Sequence, residues 1–140
     1  MDIRHLSDRF AVSPQILPEN MAELAAQGFT AVICNRPDDE VEAALYCDAM
    51  AKAAEAAGLS FHSIPVGRDG LHPEMFAQTA KIIEESAGPV FAYCRSGTRS
   101  SYVWALTMAP TMAPDDIIAA AAKAGYDLRE LRPQLAMMHG

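Results

Sequence analysis

Cysteine is scarce in this chain. Three thiols, Cys34, Cys47 and Cys94, are an odd number with no Cys-x-x-Cys spacing, so neither a disulfide framework nor a cysteine-pair zinc site is indicated. The four histidines, His5, His62, His72 and His139, are scattered, and none pairs at metal-ligand spacing. No metal site is therefore indicated, and the cysteine chemistry expected of this chain needs no metal or organic cofactor. Long hydrophobic runs are missing too, as no apolar stretch approaches the ~20 residues of a membrane span. Met1-Asp2-Ile3-Arg4-His5 lacks the basic start and long apolar core of a signal peptide. Positive charge is in deficit: 11 Lys and Arg against 18 Asp and Glu leave a net charge of -7, which disfavours nucleic acid or an acidic membrane surface as a partner. Free thiols fit a reducing compartment, and the expected location is cytoplasmic.

What is present suits an ordinary globule. The 140 residues are 51% hydrophobic and 21% charged, enough for one domain over 1-140 with one core. Strands are predicted at Phe10–Val12, Phe29–Cys34, Leu59–Ile64 and Val90–Tyr93, each short and rich in β-formers. Helices are predicted over Glu19–Gln27, Glu40–Ala57, Pro73–Ala87 and up to Met108. A helical C-terminal part over about 110-140 adds helices at Asp115–Lys123 and Leu128–Met138. Ala43, Cys47, Met50 and Ala54 fall on one helical stripe, which makes Cys47 a buried hydrophobe. Phe76, Ala80 and Ile83 are expected to face inward from the helix after Pro73. Cys34 ends an apolar strand and is either structural or close to the active edge. Alternation of strand and helix predicts a single three-layer α/β domain around a four- to five-stranded, mainly parallel sheet.

In such a sheet, sites form beyond the carboxyl ends of the strands. Cys94 sits at one such end, Arg36 follows the second strand and Asp69 the third. From Cys94 the chain runs Arg95-Ser96-Gly97-Thr98-Arg99-Ser100 and enters an apolar helical stretch. Strand, small polar loop and helix place backbone N–H groups and a helix N-terminus around an anion, and the positive helix end and nearby arginines favour a thiolate at Cys94. Ser96, Gly97 and Thr98 are small enough for their N–H groups to turn inward. Arg95 and Arg99 carry positive charge, and Arg99 can offer a two-pronged fork. The Ser100 hydroxyl could bond the sulfur or cap the helix. Asp69 could protonate a leaving group, although Asp beside Gly is also ordinary turn chemistry. A thiolate in an anion cradle can attack phosphorus or sulfur.

The segment Tyr93-Cys94-Arg95-Ser96-Gly97-Thr98-Arg99-Ser100 is similar to the active loop of rhodaneses, which are sulfurtransferases. The Asp-x-Arg strand and the Gly-His-Ile-Pro-Gly-Ala segment usual in rhodaneses are absent. Ser13–Glu19, Gly28–Asp38 and Ile64–Val66 instead resemble a bacterial family with a dual-specificity-phosphatase-like fold. That family includes the phosphatase-like domain of beta-lactamase hydrolase-like proteins and is described both as phosphatases and as sulfurtransferases. The resemblance implies a cysteine-phosphatase-like fold, Cys94 as nucleophile, Arg99 as anion-binding arginine, Arg95–Thr98 as the cradle, and Asp69 in the loop where dual-specificity phosphatases keep their acid. Asn35 and Arg36 match a family motif. A persulfide dioxygenase or a beta-lactamase-like hydrolase is the implied partner. One departure stands out. Protein tyrosine phosphatases carry His-Cys, five residues, then Arg; here Tyr93 replaces the histidine and only four residues separate Cys94 from Arg99.

A shorter loop makes a narrower cradle, better sized for one sulfur than for a phosphoryl group. The leading expectation is therefore a sulfurtransferase that carries sulfane sulfur from thiosulfate or a persulfide, through a Cys94 persulfide, to a thiol or cyanide. The alternative is a cysteine-dependent phosphatase acting on a phosphoester, with Asp69 as acid. The third is a non-catalytic anion- or redox-sensing module.

Overall fold

Apolar tetrads separated by alanine-rich stretches fold here as three layers. The computed structural model describes residues 1–140. In chain order the elements are β1 (Arg4–Ser7), β2 (Phe10–Ser13), α1 (Met21–Ala26), β3 (Ala31–Cys34), α2 (Cys47–Ala56), β4 (Ser60–Ser63), α3 (Pro73–Glu85), β5 (Val90–Tyr93), α4 (Thr98–Met108), α5 (Pro114–Lys123) and α6 (Arg132–Met138). The sheet order is β1-β2-β5-β3-β4, with β1 antiparallel to β2 and the other neighbours parallel. Every residue of β2, β3 and β5 is buried, as expected of parallel strands covered on both faces.

Side chains alternate between two cores, as the pleat requires. Phe10, Val12, Ala31, Ile33, Val90 and Ala92 face α4, α5 and α6, with Trp104, Leu106 and Leu135 fully buried among them. Ala11, Val32, Cys34, Phe91 and Tyr93 face α1 and α2 and meet Met21, Leu24, Met50 and Ala54. β5 lies in the middle, between β2 and β3, so its C-terminal end opens at the centre of the sheet. No helix is long and apolar enough to cross a membrane.

Several expectations are corrected. The first strand is β1, not Phe10–Val12; its polar residues hide an edge strand that pairs only with β2. Glu40–Ala57 is not one helix. Asp38–Glu40 and Ala43–Leu45 form 3-10 turns, Val41 and Glu42 are extended, and α2 starts at Cys47. Side-chain contacts hold this path: the Arg36 guanidinium bonds the Glu40 carbonyl at 3.1 Å, and the Asp38 carboxylate accepts the Cys47 N–H at 2.9 Å. These contacts override the helix propensity of the segment. Met50 and Ala54 keep the predicted stripe, but Cys47, at the helix start, is only half-buried. On α3 Ala80 is exposed, and Thr79 takes the buried place, its hydroxyl donating to the Met75 carbonyl at 2.7 Å. The last helix begins at Arg132, preceded by a 3-10 turn at Arg129–Leu131.

Candidate active site

Three parallel strands end side by side, and one buried amide joins them. Asn35, just past β3, donates its backbone N–H to the Tyr93 carbonyl of β5 at 2.8 Å. Its side-chain Nδ2 donates to the Ile64 carbonyl beyond β4 at 2.9 Å, and its own carbonyl accepts the Val66 N–H at 2.9 Å. On the other flank the Gln15 N–H reaches the Arg95 carbonyl at 3.3 Å. The role of Asn35 in its motif is thus structural.

Cys94 is fully buried at the floor of the loop that follows β5. The Gly97 N–H donates to its Sγ at 3.1 Å. Gly97 has φ +94, in the left-handed region that glycine occupies without penalty, and it caps α4. A Cβ there would land on the Tyr126 hydroxyl. The Gly97 carbonyl accepts the backbone N–H and the hydroxyl of Ser101 at 3.0 and 2.8 Å. Ser96 and Thr98 are exposed and bonded to each other, with Oγ to Oγ1 at 3.0 Å. Arg95 is exposed at the mouth. Ser100 neither bonds the Cys94 sulfur nor caps the helix; it lies inside α4, buried, and its hydroxyl has no partner.

Arg99 projects from the first turn of α4 to a wall built by other loops. Its two terminal nitrogens grip the Glu40 carboxylate at 2.9 and 2.8 Å, and Nη1 also donates to the Val66 carbonyl at 2.8 Å. Three of the five guanidinium N–H donors are therefore used, and two remain for an anion. The Arg99 hydrogen bonds hold the Glu40 carboxyl below the usual carboxylate range, against a smaller opposing effect of partial burial. Glu40 in turn raises Arg99, to which Cys94 also contributes.

Arg36, expected among the anion ligands, is committed elsewhere. Its Nε meets Glu40 Oε1 at 3.2 Å and its Nη1 meets Gln15 Oε1 at 3.2 Å. It buttresses Glu40. Asp69 stands on the Gly67–Gly70 turn, 87% exposed, with His72 Nε2 at 3.9 Å. It shares a surface hollow with Pro37, Asp39, Glu40, Gly67 and Arg68, beside the wall that holds Arg99. Cys34 and Cys47 stay protonated in their surroundings. Burial raises Cys34, and burial pushes Cys47 up to about 12. Residues 1–140 contain no group of histidine, cysteine or carboxylate side chains that could hold a metal ion.

Glu40, Gln15 and Tyr126 did not stand out in the sequence. Glu40 sits in a stretch that looks like helix, and Tyr126 follows the loop by 30 residues, so nothing local marks either one.

The fold has known counterparts. Residues 2–111 match the family described as beta-lactamase hydrolase-like protein, phosphatase-like domain. The chain belongs to this family. A beta-lactamase hydrolase-like protein of Xylella fastidiosa (strain Temecula1 / ATCC 700964) is 29% identical over 130 residues, which are 91% of this chain and 30% of that protein. The chain thus spans about a third of the length of the curated relatives it matches. A proposed phosphatase from Neisseria meningitidis Z2491, known from its crystal structure, is 33% identical, with a TM-score of 0.83 over 99% of both chains. The structure of Tk-PTP in its active form, at 18% identity, has a TM-score of 0.73 over 97% of this chain and 94% of its own, and shows the shared fold. The domain is therefore phosphatase-like. The sulfurtransferase class, placed first on loop length, finds no support among these relatives, whose descriptions favour the phosphatase alternative.

Proposed function

We propose that this chain is a cysteine-dependent hydrolase of small phosphoesters. The observation that carries it is the seat of Cys94: its sulfur lies under the Gly97 N–H at the start of α4, with Arg99 fixed at the wall of the same loop. An incoming phosphoryl group would bind backbone N–H groups of the loop at the start of α4, the Gly97 N–H among them, and the two unused donors of Arg99. Cys94 would attack phosphorus as the thiolate and the ester oxygen would leave, taking a proton from an acid. Water would then hydrolyse the phosphocysteine, releasing phosphate and restoring the thiol. Glu40 is tied up by two arginines and cannot be that acid. We give that role to Asp69, which lies on a turn beside the same wall. No cofactor takes part, and three free thiols agree with a cytoplasmic setting.

The test is hydrolysis of p-nitrophenyl phosphate by wild type and Cys94→Ser. Turnover by wild type alone, with a trapped phosphocysteine, supports the reading; equal background rates end it. One observation still favours sulfur transfer: only four residues separate Cys94 from Arg99. In that case the Cys94 thiolate takes the outer sulfur of thiosulfate, sulfite leaves, and cyanide removes the sulfur as thiocyanate. Thiocyanate formed at rates above ester hydrolysis would put this second reading first.

A further inference from the structure

One peptide unit of the cradle is held from outside by a side chain far away in the sequence. The Tyr126 hydroxyl donates to the Ser96 carbonyl at 3.0 Å. The same peptide unit carries the Gly97 N–H, which points at Cys94 Sγ at 3.1 Å. A trans peptide is planar, with its C=O and N–H on opposite sides. Fixing the oxygen outward therefore fixes the hydrogen inward. We infer that Tyr126 is a positioning residue that aims the Gly97 N–H at the Cys94 sulfur through the Ser96–Gly97 peptide.

The unit needs such a hold. Gly97 has no side chain to resist rotation, and a glycine adopts positive and negative φ about equally well. Ser101 pins the far carbonyl of Gly97, so a flip of the Ser96–Gly97 plane is the rotation left open, and the Tyr126 hydroxyl closes it. Tyr126 is itself braced. The Arg4 guanidinium carbon stands 5.3 Å from its ring centroid, and Arg4 Nη1 donates to the Ala124 carbonyl at 3.0 Å. β1, the hairpin edge, thereby supports the loop after β5. Tyr126 lies beyond residue 111, where the family match ends.

The inference rests on Cys94 as the reactive group but not on the identity of the substrate. Tyr126→Phe keeps the ring and removes the donor. Expected are a Gly97 amide proton that moves upfield, alkylation of Cys94 by iodoacetamide slowed by about tenfold, and kcat for p-nitrophenyl phosphate lowered by about tenfold with little change in KM, each reflecting one lost hydrogen bond. Melting temperature should stay close to wild type. An unmoved amide resonance, with unchanged alkylation and kcat, overturns the inference. So does a loss of activity that follows melting temperature alone. If Tyr126→Phe does not fold, Arg4→Met is read the same way: the same three shifts, smaller, support the inference, and their absence overturns it. Should wild type prove inactive on phosphoesters, the proposed function fails, while the amide shift and the alkylation rate still decide the role of Tyr126.

Discussion

Glu40 closes on Arg99 with both carboxylate oxygens, across a gap of 59 residues in the chain. The pair keeps the guanidinium at the wall of the loop and leaves two donors free. Glu40→Gln should lower kcat/KM for an aryl phosphate by roughly ten- to a hundredfold through misplacement of Arg99. The stability cost should stay below about 1 kcal/mol, since the pair is partly exposed. Steady-state kinetics with a denaturation curve checks both.

The same pair gives a pH signature. Glu40 has a lowered folded-state value, so its stabilisation is complete above the ordinary 4.5 and is lost as pH falls through that lowered value. The difference in melting temperature between wild type and Glu40→Gln should be constant near neutrality and close as the pH falls below 4.5. A gap that persists at the most acid pH tested would contradict the assignment.

Gly97→Ala meets two obstacles, a left-handed φ and the Tyr126 hydroxyl in the space of the new Cβ. Strain of this kind costs about 1–3 kcal/mol. Tyr126→Ala should relieve the clash but not the φ, so the double variant Gly97→Ala/Tyr126→Ala should be less destabilised than the sum of the two single changes. Chemical denaturation of all four proteins measures the coupling.

Two carboxylates line the hollow beside the wall without an arginine partner, Asp39 and Asp69. If Asp69 protonates the leaving group, Asp69→Asn should slow alkyl phosphates by about 10²–10⁴-fold and good aryl leaving groups much less. Asp39→Asn should leave both rates near wild type. The reverse pattern would move the role to Asp39.

Cys34 and Cys47 should stay silent toward alkylation near neutral pH, because burial raises both. Mass spectrometry of Cys94→Ser after iodoacetamide should find little label on either. Because Cys47 is raised from 9.0 to about 12, its protonated form is favoured by the fold; its stabilisation is present below 9.0 and fades as the pH climbs toward 12.

Much of this was legible in the sequence. β3 and β5 announce themselves because central parallel strands are short, uniformly apolar runs, and the Cys94–Arg99 loop because cysteine, glycine and arginine rarely occur at that spacing without cause. The strand ends it predicts to converge, near Arg36, Asp69 and Cys94, do meet at one edge. What it misses depends on distant partners. Glu40–Leu45 reads as helix, but Arg99, far along the chain, holds the Glu40 carboxylate away from that path. β1 reads as polar because it is an edge. Arg36 looks like an anion ligand until Gln15 and Glu40 are found beside it. The preference for sulfur came from loop length alone, which does not reveal how many donors Arg99 keeps.

Asn35 ties the ends of β3, β4 and β5 to one another, and Arg99 adds Val66 to the same knot. Ile64 and Val66 are therefore anchored, while Gly67–Gly70 has a single backbone turn hydrogen bond, Gly70 N–H to the Gly67 carbonyl at 3.1 Å. The wall beside Cys94 thus has two unequal parts: Asn35, Val66 and Arg99 are cross-tied by several hydrogen bonds, while the turn that carries Asp69 rests on one, so a substitution in the turn should disturb the seat of the nucleophile far less than one at Asn35.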